Sequence, residues 1–195
     1  IPFARPSVGA EEEKAVLGVL RSGWLTTAGE AQKFEEEFAE RVGSRHALAV
    51  NSATAGLHLS LEALGIGPGD SVLTTPYTFT ASAEVIRYLG ADVVFADIDE
   101  ETLTIDPVQV ESVFESPGQR AQGLRAQGAQ ARRAPDSQRR EPIDPQKAGP
   151  SAVIPVHLGG HPCRMDELSG IADHCGVPIV EDAAHAFPVS YGRHL

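Results

Sequence analysis

The chain has 195 residues, 42% of them hydrophobic and 22% charged, with a formal net charge of −11 and two cysteines. That length and apolar content suit one soluble globular domain with a sizeable core, while the acidic balance argues against nucleic acid as a general partner. No apolar stretch is long enough to span a membrane, Ile1-Pro2-Phe3-Ala4-Arg5-Pro6 lacks the apolar core of a signal peptide, and Cys163 and Cys175 define no disulfide framework, so a cytoplasmic setting is expected.

Helical and strand patterns alternate along the chain. Ala10 to Arg21 carries Ala15, Val16, Val19 and Leu20 on one helical stripe, and Gly23 ends it. Gln32 to Val42 repeats the pattern with Phe34, Phe38 and Val42. Ala47 to Val50 reads as a short strand, and Thr54 to Leu64 as a helix closed by the turn residues Gly65 to Asp70. Ser71 to Thr75 predicts a strand, Thr80 to Leu89 a helix, Val93 to Ala96 a strand and Val108 to Phe114 a short helix. Ala152 to Val156 and Val177 to Val180 predict two more strands, with a helix from Met165 to Cys175 between them. Continuously apolar strands alternating with helices imply an α/β fold, a mostly parallel sheet with helices on both faces.

One segment departs from this pattern. Residues 116–150 hold Arg120, Arg125, Arg132, Arg133, Arg139, Arg140 and Lys147 among Gln, Ala, Gly and Pro, with almost no large apolar residue. It reads as a disordered, solvated basic insertion, because it has too little apolar surface to offset the entropy of ordering.

Four strand ends carry polar or aromatic groups. Asn51-Ser52-Ala53-Thr54 opens a helix, where free amides and hydroxyls suit an anion, and where a plain N-cap is the simpler reading. In Thr75-Pro76-Tyr77-Thr78-Phe79-Thr80, Phe79 either starts a helix's core face or offers a flat ring for stacking. His157, His161 and Cys163 lie in a Gly- and Pro-rich turn whose spacing fits no zinc pattern, so no metal is assigned. Glu181-Asp182 follows an apolar strand, where open α/β sheets place their ligands. An acid there is an N-cap, an ion-pair partner, or the carboxylate that holds the ring nitrogen of pyridoxal phosphate, with His185 three residues further on.

In order, the segments 1–9, 20–107, 152–168 and 177–187, including "NSATAGLHLSLEALGIGPGDSVLTTPYTFTASAE", "AVIPVHLGGHPCRMDEL" and "VPIVEDAAHAF", resemble the DegT/DnrJ/EryC1/StrS family of pyridoxal-phosphate-dependent sugar aminotransferases. The resemblance implies the fold-type-I transferase large domain over 1–195, truncated, with the small carboxyl-terminal domain absent. It implies that Ser52, Ala53 and Thr54 cradle the cofactor phosphate, that Phe79 stacks on the pyridine ring, that Asp182 pairs with the ring nitrogen, and that His185 stands near the ring 3-oxygen. Trp24 and Thr26, in the stretch Trp24-Leu25-Thr26-Thr27, look like the loop bordering the substrate. The implied substrates are an amino-acid donor, commonly glutamate, and a keto-sugar nucleotide, and the implied assembly is a homodimer.

Two departures stand out. The family's "SGTAAL" is Ser52-Ala53-Thr54-Ala55-Gly56-Leu57 here, so an alanine replaces a glycine that lets phosphate approach closely. The Schiff-base lysine of the family lies further beyond the aspartate than these residues extend, and Lys14, Lys33 and Lys147 lie in other contexts. The chain alone is therefore expected to hold pyridoxal phosphate without a covalent bond and not to transaminate. The alternatives are a non-catalytic cofactor-binding or interaction module, and a portion of a lysine-independent sugar dehydratase.

Overall fold

In the computed structural model, residues 6–26, 28–115 and 149–192 are described. They form two compact units, 1–49 and 50–195.

The first unit carries α1 (Ala10–Ser22) and α2 (Gly29–Val42). Glu11, Glu12 and Glu13 fill the first turn of α1, where their charge suits the helix dipole, and the Glu12 carboxylate accepts the Gly9 amide at 2.7 Å. Neither helix buries a residue. The predicted strand at Ala47–Val50 is not one. Its residues have no ladder partner among the described residues, the Ala49 amide donates instead to the Glu35 carboxylate at 2.7 Å, and Leu48 is 76% exposed.

The second unit holds α3 (Ala53–Ala63), β1 (Ser71–Thr74), α4 (Ala81–Tyr88), β2 (Asp92–Phe95), α5 (Pro107–Glu115), β3 (Ala152–Val153) and α6 (Met165–Cys175). The strands form a parallel sheet in the order β2-β1-β3, with Val72 beside Val93 and Ala152, and Leu73 beside Val94 and Val153. Side chains alternate faces along a strand, and the two cores follow that alternation. Val72, Ala152 and Ile154 pack with Leu57 and Leu61 of α3 and Val85 and Ile86 of α4. Leu73 and Val153 pack with Val110 of α5 and Leu168 of α6. The helices therefore cover both faces, as the continuous apolar strands imply.

The predicted strand at Val177–Val180 survives only as two isolated parallel bridges, Val153 with Ile179 and Val156 with Asp182. The cause is a proline. The Val153 amide reaches the Pro178 carbonyl, the Val180 amide reaches the Val153 carbonyl, the Asp182 amide reaches the Pro155 carbonyl, and the His157 amide reaches the Asp182 carbonyl. The bond missing from this run is from the amide of residue 155 to Val180, and Pro155 has no amide hydrogen to give. The run 178–182 is a fourth parallel strand with one rung removed, and β3 ends early for the same reason. Of the predicted basic insertion, 116–148 lies outside the described residues, and Pro150 is buried.

Candidate functional site

The sheet order sets where a ligand crevice opens. The chain runs from β1 to β2 on one side and returns to β3 on the other, so the carboxyl ends of β1 and β3 diverge at a switch point. Here Thr74 sends its hydroxyl to the Ile154 carbonyl at 2.9 Å, both groups buried, and closes the seam between the strands. Beside this seam three segments leave the sheet: Thr75 to Thr80 after β1, Val156 to Cys163 after β3, and Glu181 to Phe187 after the fourth run.

Asp182 stands at the end of that run, 7% exposed. Its Oδ2 accepts the Ser82 hydroxyl at 2.8 Å and its Oδ1 accepts the Ala184 amide at 3.3 Å. Among the described residues no cation pairs with it. A buried carboxylate that meets only neutral donors is one that a positive group would stabilise. Its neighbour Glu181 differs in every respect. It is half-exposed and meets Nε2 of buried His157 at 2.8 Å.

Nδ1 of His157 accepts the Cys163 amide at 3.1 Å, so its proton sits on Nε2, facing Glu181. Burial opposes a charge on this ring, but the Cys163 side chain and the Glu181 carboxylate push its pKa up to about 9. The second proton, on Nδ1, comes only with loss of the Cys163 amide bond. With both nitrogens engaged and the Cys163 thiol turned to the Val156 carbonyl at 3.2 Å, His157 and Cys163 form a structural knot. Among the described residues no group of three His, Cys, Asp or Glu side chains is placed to hold a metal ion.

Phe79 is 72% exposed, next to Thr80, the N-cap of α4. Its carbonyl lies 3.3 Å from the Ser82 hydroxyl, so the loop bearing this ring is tied through one side chain to Asp182. His185 is exposed on the turn after Asp182, and its carbonyl packs against Gly160. Gly160 has φ +83°, and a Cβ there would lie 3.0 Å from that carbonyl, so only glycine lets these two loops meet. Ser52 caps α3 by accepting the Ala55 amide at 3.1 Å, which is the N-cap reading of that residue. Ala53 is exposed and Thr54 half-buried, and no described hydrogen bond joins these three to Asp182 or Phe79. Trp24 and Thr26 are exposed in the first unit, and Thr27 lies outside the described residues.

Sequence reasoning passed over Ser82 and Thr78, which bond each other at 2.8 Å. The available signal was a hydroxyl on the buried face of α4, beside Ala81, Val85 and Ile86. Another cleft of the unit is lined by Glu111, Phe114, Ser151, Glu167, His174 and Cys175. Ser151 precedes β3, so this cleft belongs to the opposite end of the strands from Asp182. Burial, and then Glu111, push the Cys175 thiol up, which makes it a poor nucleophile.

Comparison with known proteins agrees with this layout. The family model described as "DegT/DnrJ/EryC1/StrS aminotransferase family" matches residues 6–121 and 132–194. The spore coat polysaccharide biosynthesis protein SpsC of Bacillus subtilis (strain 168) is 41% identical over 195 residues, 100% of this chain and 42% of that protein. An aminotransferase from Psychrobacter cryohalolentis superposes with a TM-score of 0.76 at 33% identity, over 97% of this chain and 41% of that one. Spr1654 of Streptococcus pneumoniae, solved in a PLP form, superposes with a TM-score of 0.78 at 27% identity, over 100% of this chain and 45% of that one. The fold is that of the fold-type-I pyridoxal-phosphate-dependent aminotransferases, and the chain spans less than half the length of these relatives. Within that class, the chain belongs to the DegT/DnrJ/EryC1/StrS aminotransferase family.

Proposed function

We propose that this chain carries the cofactor-holding part of an enzyme that moves an amino group from an amino acid, glutamate being the expected donor, to a keto-sugar nucleotide. The observation that carries the reading is Asp182, a buried carboxylate with neutral donors only, at the crevice end of a parallel sheet. A protonated pyridine nitrogen supplies the cation this site lacks. Phe79 offers an exposed ring face on a loop anchored to the same acid. The start of α3, with the amides of Ala53 and Thr54 and the Thr54 hydroxyl, suits the phosphate, and His185 suits the ring 3-oxygen. When bound, pyridoxal phosphate supplies an electron sink, and Asp182 keeps the ring nitrogen protonated so that the sink is effective. The polysaccharide role of SpsC supports a sugar acceptor.

In this reading 1–195 is one partial large domain with a basic insertion, the enzyme is a cytoplasmic homodimer, and Trp24 and Thr26 border the substrate. The exposed apolar residues Val16, Leu17, Leu20, Trp24 and Leu25 support self-association. Lys14 and Lys33 both belong to the first unit, and Lys33 reaches Glu37 at 3.7 Å along its own helix. In the same reading the purified 195-residue chain binds the cofactor reversibly.

Titration of the purified chain with pyridoxal phosphate, followed by borohydride reduction, tests this. Saturable binding with no covalent adduct is expected. In Asp182→Ala, affinity falls about ten- to a hundredfold, the value of a charge-assisted hydrogen bond. A stoichiometric adduct on Lys14, Lys33 or Lys147, or unchanged binding in Asp182→Ala, contradicts the assignment.

A further inference from the structure

Ser82 is fully buried on the first turn of α4, among apolar neighbours. Its hydroxyl has one hydrogen and three partners in reach: Asp182 Oδ2 at 2.8 Å, Thr78 Oγ1 at 2.8 Å and the Phe79 carbonyl at 3.3 Å. The bond to the carboxylate is shorter than that to the carbonyl and is charge-assisted, so the hydrogen goes there. Thr78 must then be the donor to Ser82. The result is a directed chain, Thr78 hydroxyl to Ser82 hydroxyl to Asp182 carboxylate, in which each bond polarises the next.

Two features make this more than a satisfied buried serine. Thr78 and Ser82 flank Phe79, so both hydroxyls belong to the segment that presents the aromatic ring. Among the described residues Asp182 has one other donor, the Ala184 amide, at the longer distance of 3.3 Å. The Ser82 bond is thus the stronger restraint on the carboxylate, and the same bond ties it to the Phe79 segment.

We propose that Thr78 and Ser82 are positioning residues, which hold the Asp182 carboxylate in one orientation and fix the Phe79 segment to it, so that acid and ring face keep a constant relation. The consequence for cofactor binding rests on the reading of Asp182 given above. The relay itself does not.

The test uses the full 195-residue chain, as parent, Ser82→Ala, Ser82→Thr and Thr78→Val. Without cofactor, three-bond couplings from Asp182 Cγ to its backbone nitrogen and carbonyl carbon read the χ1 rotamer. A single rotamer is expected in the parent, rotamer averaging in Ser82→Ala, an intermediate result in Thr78→Val, and recovery in Ser82→Thr. A single unchanged rotamer in Ser82→Ala, or averaging already in the parent, overturns the relay. Should Ser82→Ala not fold, Thr78→Val decides on the same couplings, with an unchanged rotamer overturning the proposal. With pyridoxal phosphate, Ser82→Ala is expected to bind about tenfold more weakly, the loss of one charge-assisted bond, and Ser82→Thr within about twofold of the parent. Couplings that change as expected in a parent that binds no pyridoxal phosphate uphold the relay and sink the cofactor reading. Equal cofactor affinity in parent and Ser82→Ala overturns the positioning role.

Discussion

The two units are written with the same helical grammar and use it differently. In the first, α1 and α2 carry regular apolar stripes, yet Val16, Leu17, Leu20 and Phe34 are all exposed, and neither helix buries a residue. In the second, the stripes of α3, α4, α5 and α6 close onto two faces of a parallel sheet, and Leu61, Ile86, Leu168 and Ile154 lose all or nearly all contact with water. Periodicity reports that a helix has an apolar side. It does not report what covers that side. Covering comes from β1 and β3, whose alternating side chains serve both layers at once.

The contrast is broken most severely at the sheet. Ile154 is fully buried between α3, α4 and β1. Ile154→Ala should cost about 2–5 kcal/mol, the transfer term plus a cavity that a sheet held by helices on both sides relaxes poorly. Chemical denaturation of parent and variant measures it. A cost under about 1 kcal/mol would mean that the two-faced core is looser than its burial implies.

The same contrast marks what the sequence could say about the fold and the site. The six α-helices of the described residues were legible, because each needs only a local pattern and an end signal such as Gly23 or the turn from Gly65 to Asp70. Strands β1 and β2 were legible because both are apolar and follow turns. Ala47–Val50 misled because an apolar run without a ladder partner is only a loop, and nothing local states whether a partner exists. Val177–Val180 was legible as an extended run, but the missing rung depends on Pro155, which is distant in sequence and adjacent in space. At the site, Asp182 was legible from its strand end. Ser82 was not, since its meaning comes from an acid a hundred residues away. Nor was the pairing of His157 with Glu181, since the spacing within that loop bears on a metal and carries no sign of a partner on the next strand.

A smaller effect separates two ion pairs. Lys33 and Glu37 meet at 3.7 Å with two-thirds of each side chain in water, whereas Glu181 meets a buried His157 at 2.8 Å. The first pair should contribute nothing measurable. For the second, the pKa of His157 rises in the folded state, from 6.5 to about 9. A raised value stabilises the fold fully below the unfolded value and loses that contribution as pH rises through the folded one. Glu181→Gln should therefore cost up to about 1 kcal/mol below pH 6.5, discounted because Glu181 is half in water, and less as pH approaches 9. It should also lower the His157 titration midpoint seen by NMR, while Glu37→Gln changes neither. An unmoved His157 midpoint in Glu181→Gln would show that the Cys163 side chain, not the carboxylate, holds the ring's pKa up.

The smallest effect is expected in the first unit, and it bears most directly on the comparison. Leu20 lies on the stripe of α1 and is 57% exposed, so its side chain is mostly hydrated in the folded chain as well as in the unfolded one. Leu20→Ala removes little buried surface, and alanine's higher helix propensity offsets part of what is lost. The expected change is within about 0.5 kcal/mol, the ordinary range of a surface substitution. Denaturation at two protein concentrations makes the result decisive. A cost near that of Ile154→Ala that grows with concentration would mean that a second copy covers the α1 stripe in solution. The two units would then differ in where their apolar faces find partners, one within the chain and the other between chains.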